Sequence, residues 1–158
     1  MTAGFLLDTN VVSELRKGAR ADAGVLAWFE HHSTDQLWLS VLVVGELRRG
    51  VELLRGRDKR AGKRLGEWLD AVSTEYGDRI IPITTEVCER WAMLNVPDPV
   101  PVIDGLLAAT ALERDLVLVT RNTADVERTG VVLVNPFASR DPGSGWSASV
   151  TPGVRPPA

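Results

Sequence analysis

Short apolar runs rich in Val, Ile and Leu alternate along the chain with longer stretches whose apolar positions recur at helical spacing. Five runs read as strands: "GFLL" at 4–7, "QLWL" at 36–39, "RIIPI" at 79–83, "LVLV" at 116–119 and "VVLV" at 131–134. Between them, residues 11–17, 21–31, 41–55, 59–76, 85–95 and 102–114 carry the three-to-four-residue period of helices. Strands apolar on both faces that alternate with helices predict an α/β fold, a parallel five-stranded sheet flanked by helices on both faces. No internal repeat breaks this order. Residues 138–158 hold four Pro, three Gly and four Ser and keep no strand or helix period. They read as a tail, so the folded domain is expected over 1–137.

Composition narrows the classes. With 44% hydrophobic and 25% charged residues in 158, the chain can bury a core without staples. The single Cys88 cannot pair within the chain and reads as an inert buried thiol. No basic-then-apolar leader opens the chain, and no apolar run approaches the roughly 18 residues of a membrane span. A soluble cytoplasmic protein with no membrane partner is expected. The formal net charge of -3 excludes attraction to a polyanion by overall charge, so such a partner must meet a local patch. His31 and His32 are adjacent at a helix end, without zinc spacing, and read as surface residues. Trp28, Trp68 and Trp91 sit at apolar positions and read as core.

Each predicted strand gives way to polar residues at its C-terminal end: Asp8-Thr9-Asn10, Ser40, Thr84-Thr85-Glu86, Thr120-Arg121-Asn122 and Asn135. In a parallel sheet those ends share one edge, where open α/β folds bind ligands. Asp8 also suits a helix cap, since Asp accepts orphan N–H bonds. Glu46 interrupts "LSVLVVGEL" on a helix that Ser40 is placed to cap, and Asp104 lies in the first turn of "VIDGLLAATAL". A first-turn Asp gains under about 1 kcal/mol from the helix dipole, which does not account for its apolar neighbours. Acids are seldom buried unless paired or bound to a cation. Asp125 and Asn122 follow the fourth strand. Carboxylates from distant segments converging on one edge point to a hard divalent cation, Mg²⁺ or Mn²⁺, which takes oxygen ligands and keeps several waters.

"LLDTNVVSEL", "LSVLVVGELRRGV", "VIDGLLAATA" and "LVTRNTADVERTGVVLVNPF" together resemble the PIN-domain ribonucleases, and within them the VapC-type toxins of bacterial toxin–antitoxin pairs. The resemblance covers residues 5 to 137 in order. It implies a three-layer α/β/α fold, a Mg²⁺- or Mn²⁺-dependent endoribonuclease, a homodimer, and a VapB-type antitoxin that blocks the site. By motif position it implies Asp8, Glu46 and Asp104 as metal-binding acids, with Thr9, Asn10 and Ser40 as polar neighbours. Many members carry an acid directly after the Thr-Arg pair of the last motif, where this chain has Asn122. Asp125, three residues on, is then the candidate fourth catalytic acid, or the site runs with three acids and Asn122 beside them.

For RNA contact, residues 48–64 hold eight Lys or Arg against two acids, a local excess suited to phosphates. A solvated helix face accounts for the same run. Arg48, Arg49 and Arg121 are the candidates, Arg121 because its fork matches phosphate geometry. Two other classes compete. A haloacid-dehalogenase-like phosphatase also begins with Asp after a first strand, but it needs a second Asp where Asn10 stands. A PIN-like module that binds metal or RNA without cleaving is the alternative that Asn122 raises.

Overall fold

The computed structural model describes residues 4–138; of the expected tail, all but Ala138 lies outside them. The five strands are β1 (Phe5–Leu7), β2 (Leu37–Ser40), β3 (Ile80–Ile81), β4 (Val117–Val119) and β5 (Leu133–Val134). Their order is β3-β2-β1-β4-β5 and every pairing is parallel. Leu6 stands beside Trp38 on one side and Leu118 on the other, which makes β1 the central strand. All three β1 residues are buried, as expected for a strand covered on both faces.

The helices are α1 (Thr9–Leu15), α2 (Ala23–Glu30), α3 (Val41–Arg57), α4 (Lys59–Tyr76), α5 (Thr85–Leu94), α6 (Val102–Arg114) and α7 (Thr123–Val126). The chain steps from β1 to β3 in one direction, then returns past β1 to β4 and β5. Right-handed crossovers therefore put α1–α4 on one face of the sheet and α5–α7 on the other. The reversal between β1 and β4 is a topological switch point, and the strand ends there open a crevice. The α/β expectation holds.

Capping sets several boundaries that periodicity had blurred. Asp8 caps α1, so this helix starts at Thr9 rather than 11. Ser40 caps α3 through Leu42 N, as its position suggested. Asp58 ends α3 and caps α4 through Ala61 N, so α3 runs to Arg57 instead of 55. β3 shrinks from the expected 79–83 to two residues because Pro82 has no N–H for the ladder. The short α7 had no periodic signal of its own. Glu14, buried in α1, accepts from Lys17 Nζ (2.7 Å) and Asp22 N (2.8 Å); these bonds lower its pKa and tie α1 to the start of α2.

The side-chain expectations need three corrections. Cys88 is exposed on α5, not buried, because the apolar stripe of that short helix passes through Val87. Of the three tryptophans only Trp28 is fully buried, packed edge-on to Phe5 and stacked on His32, which is thereby half-buried. Trp68 is half-buried against the core, and Trp91 is half-buried beside Gly105.

Candidate active site

At the switch point Asp8, Thr9, Asn10, Glu46, Pro101, Val102, Ile103, Asp104 and Asn122 line an open crevice of about 480 Å³. Four separate segments thus meet there: the end of β1, the middle of α3, the start of α6 and the turn after β4.

Asp8 is 4% exposed and is held on every side. Its Oδ1 accepts from Thr9 N (2.7 Å), and its Oδ2 accepts from Thr120 Oγ1 (2.7 Å) and Asn10 Nδ2 (3.2 Å). The same carboxyl therefore caps α1 and lines the crevice, so the cap does not withdraw it from the strand edge. Thr120, 1% exposed, also accepts from Asn122 N (3.0 Å), while Asn10 Oδ1 accepts from Arg121 N (3.2 Å). These bonds lash the end of β1 to the end of β4. Thr120 was not singled out from the sequence; its place directly after an apolar strand was the available signal, while the pairing of that strand with Asp8's was not.

Glu46 reaches the crevice from α3, where its Oε1 accepts from Thr9 Oγ1 (2.8 Å). Contrary to its apolar sequence neighbours, Glu46 lies on the exposed face of α3; the buried face runs through Val43, Leu47 and Val51. Asp104 is half-buried in the first turn of α6. Gly105 lets that turn sit close on α5, since a Cβ there would stand 3.1 Å from Trp91 Cδ1. Burial first, then the charges of Asp8, Asp125 and Glu46, push the Asp104 carboxyl up to about 6. Asp125 thus lies within electrostatic reach of Asp104 but does not line the crevice, whereas Asn122 does. Ser40 serves as a helix cap and is not among the lining residues.

The arginine candidates separate. Arg48 is engaged by Asp70 (2.6 Å) on α4. Arg121 lays its guanidinium over the Phe137 ring, 3.9 Å from the centroid, and does not line the crevice. Arg49 is exposed.

Among the described residues, no three acidic, His or Cys side chains are already arranged around one point as a ready-made metal cage. Both oxygens of Asp8 and one of Glu46 accept hydrogen bonds, and each carboxylate keeps further lone-pair sites beside them. That donor set fits a hard cation held by one or two carboxylates and several waters better than a dehydrated ion. Burial is the largest cause of the raised Asp104 carboxyl, and the repulsion of its acidic neighbours that adds to it is a second sign that this wall lacks a counter-charge.

The PIN domain family model matches residues 5–131. The VapC ribonuclease Y4jK of Sinorhizobium fredii is 34% identical over 141 residues, spanning 84% of this chain and 97% of that protein. Toxin FitB of Neisseria gonorrhoeae is 32% identical over 140 residues, 84% of this chain and 98% of that one. The crystal structure of FitAcB from Neisseria gonorrhoeae superposes with a TM-score of 0.78 at 30% identity, covering 85% and 99% of the two chains. The chain belongs to the PIN-domain family.

Two consequences of this geometry are testable. An acid raised in the fold binds its proton more tightly folded than unfolded. Asp104 therefore costs no stability below its ordinary value of 3.8 and destabilises progressively as pH rises to about 6. In chelator, Asp104→Asn should have a higher thermal midpoint than wild type at pH 7, with the gap closing near pH 4; a gap independent of pH would remove the electrostatic account. Thr120→Val should leave the Asp8 carboxylate and Asn122 N–H short of a partner and cost about 1–3 kcal/mol in urea unfolding, whereas Thr120→Ser should keep most of the stability.

Proposed function

We propose that this protein is a divalent-metal-dependent endoribonuclease that acts as the toxin of a toxin–antitoxin pair. The observation that carries the reading is the junction of Asp8, Glu46 and Asp104 around one crevice at the sheet edge. Family membership and relatives named a VapC ribonuclease and a toxin support it.

In this reading Asp8 and Asp104 hold the cation, Mg²⁺ or Mn²⁺, with Glu46 joining directly or through water. Such an ion, when bound, supplies charge stabilisation to the phosphoryl oxygens. The protein's own groups do the rest. Thr120 and Asn10 fix the Asp8 carboxylate, so that it does not have to reorganise as charge develops. Thr9 occupies Oε1 of Glu46 and leaves Oε2 to orient an attacking water and take its proton. The water oxygen bonds to phosphorus as the opposite P–O bond breaks, and the leaving oxygen takes a proton from solvent. Asn122 lines the wall as a neutral amide, and Asp125 acts on Asp104 through space rather than by contact with substrate. We further propose a homodimer, regulated in the cytoplasm by a VapB-type antitoxin that covers the crevice.

A second reading has one observation in its favour. Asn122 in place of an acid reduces the negative charge available for a second cation, so a binding module that does not cleave would keep the same crevice.

Purified, partner-free protein incubated with mixed cellular RNA should cleave it in Mg²⁺ or Mn²⁺ but not in chelator. Asp8→Asn should lower the rate more than about a hundredfold, with the far-ultraviolet circular dichroism of wild type. RNA retention without cleavage by wild type would favour the binding module.

A further inference from the structure

We infer that the exposed ridge of α3 leading away from Glu46, formed by Arg49, Leu53 and Arg57 and continued by Lys59, Arg60 and Arg64 at the α3–α4 elbow, guides the phosphate backbone of a single-stranded RNA into the crevice. The inference rests on the ribonuclease reading and adds to it the surface that holds the substrate.

Helical spacing supplies the alignment. Val43, Leu47 and Val51 are buried, while Glu46, Arg49, Leu53 and Arg57 form an exposed stripe that flanks them on the same helix. The eleven steps from Glu46 to Arg57 span about 16 Å at about 1.5 Å per residue, so the ridge starts at the crevice wall and extends away from it along the helix. The support is rigid. A Cβ at Gly62 would stand 2.5 Å from Arg55 Cα, so α4 lies directly against α3 along its opposite side.

Ion pairing then sorts the basic run. Of its eight cations, Arg48 pairs with Asp70, Arg55 with Glu52 and Lys63 with Glu67. Asp58 is used as the cap of α4. Arg49, Arg57, Lys59, Arg60 and Arg64 have no ion pair among the described residues, and all five are exposed. The crevice itself repels phosphate through Asp8, Glu46 and Asp104, so a strand needs cations at the rim to approach it. Arg121, after β4, rests on Phe137 and does not line the crevice. A protein partner fits the ridge less well, because the centre of a protein interface is depleted of charge and rich in aromatic groups, and here only Leu53 is apolar.

The test measures binding of a 20-nucleotide unstructured RNA by fluorescence anisotropy in chelator, across salt from about 50 mM to about 200 mM. Cleavage of the same RNA in Mg²⁺ is followed alongside. Each phosphate contact contributes about -0.7 to the slope of log affinity against log salt for single strands. Arg49→Gln/Arg57→Gln should flatten the wild-type slope by about 1.4 and raise the KM for cleavage. Arg20→Gln/Arg114→Gln removes the same charge at exposed sites off the ridge and should keep the wild-type slope. Equal slopes for the two double variants, with wild type binding and cleaving RNA, would overturn the ridge and leave the ribonuclease standing. A wild-type protein that neither binds nor cleaves RNA would overturn both.

Discussion

The hydrogen bond from Thr120 to Asp8 joins the ends of two strands that lie 112 residues apart in the chain. Every other feature of the site is referenced to that junction. β1 and β4 are neighbours at the point where strand order reverses, and from their C-terminal ends the connections leave to opposite faces of the sheet, which opens the crevice between them. Asp8 is buried there with each oxygen satisfied, and Asn10 uses its amide to reach both Asp8 and the β4 turn. A carboxylate fastened in this way keeps its orientation whether or not anything is bound.

Around this fixed acid the fold assembles others that it does not neutralise. α3 presents Glu46 and α6 presents Asp104, with Asp125 within electrostatic reach. The described ion pairs lie elsewhere: Lys17–Glu14, Arg48–Asp70, Arg55–Glu52, Lys63–Glu67 and Arg90–Glu113. Leaving carboxylates facing one another without a cation is costly for stability, and the Asp104 carboxyl, raised first by burial and then by these neighbours, expresses that cost. In the proposed reading a hard cation with its waters would relieve it, by the same property that lets such an ion assist phosphodiester hydrolysis.

Much of this was legible in the sequence because the long elements carry strong periodic signals. The ends of α4 and α6 coincide with the periods over 59–76 and 102–114, and all five strands exist where the apolar runs fall. Asp8, Glu46 and Asp104 were legible as acids in apolar or strand-end settings. What stayed hidden depends on contacts across the fold. Thr120 matters only because β4 lies beside β1, and strand order is not encoded in any local window. Glu46 looked buried because its neighbours in sequence are apolar, yet the helix period turns those neighbours toward the core and Glu46 away from it. That the exposed Arg121 rests the face of its guanidinium on Phe137, a residue beyond β5, was likewise not visible in any local window. Cys88 was misplaced for a related reason: in a short helix one residue of rotation separates a buried position from an exposed one.

The most direct test of the central claim, that the carboxylates at this edge are assembled to receive a divalent cation, is the thermal midpoint of the metal-free protein titrated with Mn²⁺ at neutral pH. An ion that binds only the folded state stabilises it by about 2.7 kcal/mol at a concentration about a hundredfold above its dissociation constant. The account predicts a saturable rise in wild type that disappears in Asp8→Asn/Asp104→Asn. A midpoint indifferent to the ion, or a rise of the same size in the double variant, would contradict it.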